Sequence, residues 1–174
     1  MGGTATMKEN QYMQGKLRNM TAVYLLQNSK ILLLYRQGSK VVNDMWIGAA
    51  GGHFEENELN DARACVLREL REELSVTEDM LENLHLKYIA LRCVKGEIRQ
   101  NYYFFANLKT DVEMELTSNE GVLQWFPLEE LKNLEMPFSA KFAMEHYLEV
   151  GRYSDRLYGG MSDGEKIVFT EMSD

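Results

Sequence analysis

The sequence predicts a mixed α/β fold in a single domain, and three observations carry that reading. Strand-like and helix-like stretches interleave along the 174 residues without the regular alternation of a doubly wound sheet. Hydrophobic residues make up 45% of the chain and charged residues 26%, the mixture of a globular protein with a sizeable core. No apolar run approaches the ~20 residues that a membrane span needs. The longest, Ile31-Leu32-Leu33-Leu34-Tyr35, has the length of a strand.

Residues 1–16 are polar, contain glycine and lack the apolar stretch of a signal peptide. They read as a flexible leader to a domain over 17–174. Thr21 to Leu26 and Lys30 to Gln37 are strand-like runs on either side of the turn composition Gln27-Asn28-Ser29, which predicts a hairpin. Val41 to Asp44 reads as a loop, and Trp46 to Ala49 as a short strand entering Gly51-Gly52. A helix is expected from about Asn60 to Leu74, and Thr77 offers a cap for a short helical turn to Leu81. His85 to Val94 and Glu97 to Leu108 predict a second hairpin around Lys95-Gly96. Val122 to Phe126 is a strand, after which Pro127 opens a helical segment to Leu134. Ser139 to Val150 has a Ser cap, helical periodicity and Gly151 as its stop. The tail from Tyr153 to Met172 predicts a last hairpin, turning at Ser162-Asp163-Gly164. That hairpin is a candidate to cover its own sheet edge or to pair with a second subunit's edge in a homodimer.

The formal net charge is −8, which argues against a nucleic-acid polymer as partner, because backbone binding needs a clustered basic surface. A small anionic substrate remains compatible, with a metal ion bridging carboxylate and phosphate. Cys65 and Cys93 are too few for a disulfide framework and read as reduced, buried thiols of a cytoplasmic protein. His53, His85 and His146 share no metal-ligand spacing and read as structural or surface residues. Tyr102-Tyr103-Phe104-Phe105 reads as a strand packed on both faces.

The informative stretch runs from Gly52 to Val76. On a helix Glu69, Glu72 and Glu73 stand at i, i+3 and i+4 and project from one face. Leu67, Leu70 and Leu74 form a stripe roughly 140° away, so one side can pack while the other presents carboxylates. Like charges at this spacing destabilise an isolated helix by a few tenths of a kcal/mol per pair. A hard divalent cation with oxygen ligands reverses that repulsion. The competing reading is a solvated acidic face with Arg68 and Arg71 as its ion-pair partners.

The surrounding pattern resembles the Nudix box: Gly, five residues, Glu, seven residues, then Arg-Glu-apolar-x-Glu-Glu-x-Gly-apolar. Arg68, Glu69, Leu70, Glu72, Glu73 and Val76 match its closing half, and Gly52 and Glu58 its opening half. Nine residues separate Glu58 from Arg68, two more than the pattern has, and strict back-counting lands on Asn60 instead. Ser75 replaces the Gly at the helix exit, where a left-handed cap makes Ser cost on the order of 1 kcal/mol. Ala50 stands where many members carry Pro. The likeness extends over about Met20 to Leu134 and includes Trp125-Phe126-Pro127-Leu128-Glu129-Glu130-Leu131.

The resemblance implies an α/β/α sandwich with a mixed sheet between helices, and Mg²⁺-dependent hydrolysis of a diphosphate linkage, with Mn²⁺ as a substitute. It implies Glu69, Glu72, Glu73 and the Gly52 carbonyl as metal ligands, with Glu69 doubling as the base. Arg68 would orient these carboxylates, and the loop residue Glu120 would add a ligand or base, as in MutT-like members. Arg36 is a candidate for substrate phosphate and Phe138 for the base pocket. The MutT-like layout points to a nucleoside triphosphate, 8-oxo-dGTP included, cut to the monophosphate and pyrophosphate. ADP-ribose or nucleotide-sugar hydrolysis and non-catalytic nucleotide sensing are the alternatives.

Overall fold

The computed structural model describes residues 16–38 and 44–173. The expected leader up to residue 15 and loop residues 41–43 lie outside them. Strand β1 (Lys16–Gln27) turns into β2 (Lys30–Arg36) through Asn28 and Ser29, both with positive φ, the geometry that follows strand twist in a two-residue hairpin. Lys95 and Gly96 do the same between β4 (Leu81–Val94) and β5 (Glu97–Leu108). The remaining strands are β3 (Met45–Gly48), β6 (Thr117–Ser118), β7 (Gly121–Pro127), β8 (Tyr158–Ser162) and β9 (Ile167–Glu171). Among the described residues the α-helices are α1 (Ala62–Leu74) and α2 (Phe138–Glu149).

Among the described residues nine strands join one mixed sheet, in the order β6-β7-β2-β1-β5-β4-β8-β9 with β3 beside β2. The β1–β5 and β4–β8 pairs are parallel and the others antiparallel. Period-two alternation divides the strand residues between two cores. Val23, Leu25, Leu32 and Phe104 face α1 through Val66 and Leu70. Tyr24, Ile31, Leu33 and Phe105 face α2 through Ala140, Ala143 and Met144. The architecture is therefore the α/β/α sandwich that the resemblance implies.

Several local expectations change. The first strand starts at Lys16 rather than Thr21, because parallel pairing with β5 carries it five residues further. Helix α1 begins at Ala62 rather than Asn60, since Asp61 caps it by accepting from the Ala64 N–H at 2.9 Å. Its buried side is Cys65, Val66, Glu69 and Leu70, so the carboxylate face is not simply solvated. Ser139 does not cap α2; Pro137 holds that position, and Ser139 lies buried inside the first turn. Cys93 is exposed, against the expectation of two buried thiols, because its end of β4 passes beyond the cores. The C-terminal hairpin covers its own sheet, with Tyr158–Met161 of β8 in register with Tyr88–Leu91 of β4. Among the described residues no helix is long and apolar enough to cross a membrane.

Candidate active site

Strands β1 and β2 pair only at their turn, from Leu25–Leu32 to Gln27–Lys30, and from Leu33 to Arg36 β2 pairs with β3 instead, while β7 runs along it from Lys30 to Arg36. A cavity of about 430 Å³, within the range of small-molecule sites, is lined from both strands. Alternation selects its wall: Arg18, Met20, Ala22 and Tyr24 from β1, and Arg99, Asn101 and Tyr103 from β5.

The segment after β3 runs antiparallel along the open edge of β1. Val23 N donates to the Ala50 carbonyl at 2.9 Å, Thr21 N to the Gly52 carbonyl at 2.8 Å, and Phe54 N to the Asn19 carbonyl at 3.2 Å. Both glycines are required by proximity. A Cβ on Gly51 would lie 2.2 Å from the Thr21 carbonyl oxygen, and one on Gly52 would lie 2.3 Å from Glu69 Oε1. Helix α1 thus brings Glu69 against the Gly52 backbone, and Glu73 one turn later accepts from the Gly51 N–H at 3.2 Å. Burial pushes the Glu73 carboxyl up to about 7; the Gly51 N–H offsets part of this, while Glu69 and Glu120 add repulsion. Burial also raises Glu69, with Arg68 opposing it.

Arg68 is held on the outer flank of these carboxylates. Its Nε and Nη2 donate to the two oxygens of buried Glu58 at 2.7 and 3.0 Å. Nη1 donates to Glu69 at 2.8 Å and to Glu72 at 3.1 Å. Nη2 also reaches the His53 carbonyl at 3.1 Å. Of the two residues that counting the box allows, Glu58 is buried and makes the Arg68 contact, whereas Asn60 is exposed. A 3-10 turn over Glu56–Glu58 precedes α1, with Leu59, Asn60 and the cap Asp61 between Glu58 and that helix. Ser75 takes the left-handed conformation (φ 54°), and its N–H together with that of Val76 closes the helix on Arg71 and Leu70.

A family model of the NUDIX domain matches residues 16–147. The chain belongs to the Nudix family. A MutT protein from Bacillus halodurans superposes with a TM-score of 0.66 at 25% identity, covering 88% of this chain and 97% of its own. An Ap4A hydrolase from C. elegans superposes at 0.59 with 18% identity, over 77% of this chain and 96% of its own. A MutT NUDIX hydrolase from Burkholderia pseudomallei does so at 0.56 with 21% identity, over 75% and 97%. The last two, below 25% identity, speak for the fold alone. No curated protein sequence matches significantly. The protein is a MutT-like Nudix hydrolase acting on phosphoric anhydride bonds of nucleoside diphosphate derivatives.

The Nudix cavity gathers Glu69, Glu73, Gly52, Glu120, Arg36 and Phe138, all candidates from the sequence. Arg36 Nη2 donates to Glu120 at 3.1 Å, because Arg36 stands in register with Gly121 across the β2–β7 pair. Arg68 and Glu72 do not line the cavity. Among the described residues no three His, Cys, Asp or Glu side chains converge closely enough to hold a metal ion. The reason is local: Arg68 draws Glu69 and Glu72 toward itself, whereas Glu73 turns to Gly51. The donor set is all oxygen and suits a hard cation, and Gly52 leaves backbone and carboxylate in contact. The Gly52 carbonyl accepts from Thr21 and retains a second lone pair.

Arg18, Arg92, Arg99 and Asn101 also line the cavity and escape the sequence reading. Starting β1 at Thr21 leaves Arg18 outside it. The alternation Arg99, Asn101, Tyr103 is visible in the sequence, but nothing there says which face of β5 lines a cavity. Cys65 lies behind the site, and burial pushes its thiol up to about 11, far from a thiolate nucleophile. The histidines are dispersed: His53 accepts from Arg18, His85 meets the Asn83 carbonyl and His146 meets the Tyr88 hydroxyl.

Proposed function

We propose that this hydrolase cuts a nucleoside 5′-triphosphate to the monophosphate and pyrophosphate, using Mg²⁺ with Mn²⁺ as a substitute. The observation that carries the reading is the meeting of Glu69 and Glu73 with the Gly51-Gly52 backbone inside one small-molecule cavity. Likeness to the MutT protein over most of both chains supports the triphosphate.

Glu69, Glu73 and the Gly52 carbonyl would hold the ion, with Glu72 joining by exchanging its Arg68 contact. When bound, the ion neutralises charge on the phosphates and acidifies a water. Glu69 is the residue to take the proton from the attacking water, since Arg68 fixes its carboxylate and burial raises its proton affinity. Arg36 shares a half-exposed ion pair with Glu120 and can turn its remaining N–H groups to a phosphate oxygen. Phe138, at the start of α2, offers an apolar wall to the base.

The test is pyrophosphate and phosphate release from 8-oxo-dGTP, the normal dNTPs, ADP-ribose and nucleotide sugars, with and without Mg²⁺, in wild type and Glu73→Gln. Pyrophosphate from the triphosphates that needs Mg²⁺ and falls at least 100-fold in the variant is the expected result. Turnover confined to ADP-ribose or nucleotide sugars overturns the triphosphate assignment. Turnover indifferent to Glu73→Gln overturns the site.

A further inference from the structure

Three arginines stand in one row across the sheet. Arg18 of β1 is the register partner of Arg99 of β5, and Arg99 is the register partner of Arg92 of β4. All three line the cavity. Like charges directly opposite on neighbouring strands are destabilising, and here the repulsion is met twice over. Glu97 is the sole carboxylate given to the row among the described residues, taking Arg18 Nη1 at 3.1 Å and Arg99 Nε at 2.8 Å. Arg92 has no carboxylate partner there; its guanidinium lies over the Phe138 ring, 4.0 Å from its centre. The row therefore carries two positive charges beyond its one compensating anion.

The row also leads away from the carboxylates. Gly52 lies on one side of β1, while β5 and then β4 lie on the other. At ~4.8 Å per strand, Arg92 stands roughly 14 Å across the sheet from the Gly52 segment. Two phosphorus atoms that share a single bridging oxygen cannot reach from Gly52 to Arg92. Arg36, on the β2 side, already serves the carboxylate end. Planar guanidinium forks in a row suit a dianion with several oxygens, and a neutral nucleobase would leave the excess charge unanswered.

We infer that the row Arg18–Arg99–Arg92 is a second anion subsite, which takes a phosphomonoester on the nucleoside part of the substrate, away from the anhydride that is cut. This rests on the hydrolase reading above for its place in a reaction, though not for binding itself. The preferred substrates are nucleotides that carry a ribose 2′- or 3′-phosphate in addition to the 5′ chain.

The experiment has two arms. In the first, calorimetric titration without metal compares AMP with adenosine 2′,5′- and 3′,5′-bisphosphate, for wild type, Arg92→Ala and Arg99→Gln. One of the bisphosphates is expected to bind wild type at least 10-fold more tightly than AMP, and both variants to lose that preference. In the second, kcat/KM with Mg²⁺ is measured for ATP and ADP-ribose against their ribose-phosphorylated counterparts. A preference of at least 10-fold, expressed in KM and erased in the variants, is expected. Equal binding of AMP and both bisphosphates by wild type overturns the subsite, and so does a preference that survives in both variants. Absence of triphosphate turnover in this panel and in the one above, with an arginine-dependent bisphosphate preference, retains the subsite and refutes the triphosphate reading, so the two failures are distinguishable. Circular dichroism and melting of both variants confirm folding, and Arg92→Ala leaves no carboxylate without its partner.

Discussion

Arg68 grips Glu58 through two contacts, Nε to Oε1 at 2.7 Å and Nη2 to Oε2 at 3.0 Å, and with its remaining nitrogen holds Glu69. Both partners of the Glu58 pair are largely removed from water. Breaking such a pair leaves a buried charge uncompensated. Glu58→Gln is expected to cost about 3 kcal/mol, lowering Tm by roughly 6–12 °C. Because Glu58 acts through Arg68 rather than on substrate, kcat should fall about 10-fold with KM little changed. Arg68→Lys keeps the charge without the fork and should resemble Glu58→Gln. Wild-type kinetics in both variants would refute the positioning role.

The same pair sets an acid limit on stability. The Arg68 guanidinium and the Glu55 N–H hold the Glu58 carboxyl down to about 2, from an ordinary value near 4.5. A carboxyl depressed on folding contributes stability that is complete above its unfolded value and lost as pH falls through the folded one. The contribution, on the order of 3 kcal/mol, should therefore disappear between about pH 4.5 and pH 2. Acid denaturation followed by circular dichroism should be shallower over that window in Glu58→Gln. Parallel curves would refute the linkage.

The helix that carries this pair was the most legible part of the sequence, because spacing on a helix fixes which face a carboxylate takes. Glu69 and Glu73 share that face and meet Gly52 and Gly51 in the cavity. The placement of Arg68 and Glu72 outside it was not legible. It depends on Glu58, which reaches Arg68 from a 3-10 turn whose length a two-residue insertion obscures. The arginine row was hidden for a different reason. Register between β1, β5 and β4 is a long-range property, and single strands reveal only that Arg18, Arg92 and Arg99 alternate with other residues. Ser139 shows the limit of capping signals: Pro137 takes the cap position two residues earlier.

Ser75 occupies the left-handed cap of α1 with a side chain that this conformation penalises. Ser75→Gly should raise stability by about 1 kcal/mol, seen as a Tm increase of roughly 2–4 °C. The side chain is exposed and is not part of the cavity lining, so kcat/KM should stay within about twofold. An unchanged or lower Tm would show that the serine is not strained.

Glu73 is a desolvated carboxylate, and among the described residues no cation stands within ion-pair distance of it. Without metal, Glu73→Gln should therefore be the more stable protein at pH 8 in EDTA, by about 1 kcal/mol. Excess Mg²⁺ should reverse the order, since a ligand that binds only the folded state adds about 2.7 kcal/mol at 100 times its Kd. Melting curves with EDTA and with Mg²⁺ give the comparison. Equal Mg²⁺ stabilisation of both proteins would remove Glu73 from the ligand set.

Gly51 and Gly52 are neighbours with different neighbours of their own, and alanine should separate their roles. At Gly51 a Cβ meets the Thr21 backbone carbonyl at 2.2 Å, and β1 cannot move without breaking its pairing with β5. Gly51→Ala should thus destabilise the fold by about 3 kcal/mol or more and lower Tm by roughly 6–12 °C. At Gly52 the obstructing atom is Glu69 Oε1, the end of a side chain rather than backbone, which can rotate away at the expense of its Arg68 contact. Gly52→Ala should leave Tm within a few degrees of wild type while displacing the carboxylate, with kcat falling at least 100-fold. Melting and Mg²⁺-dependent turnover of the two variants, measured side by side, give the comparison. If Gly52→Ala retains full turnover, the contact between Gly52 and Glu69 is only packing, and the metal and base roles pass to Glu73 and Glu120.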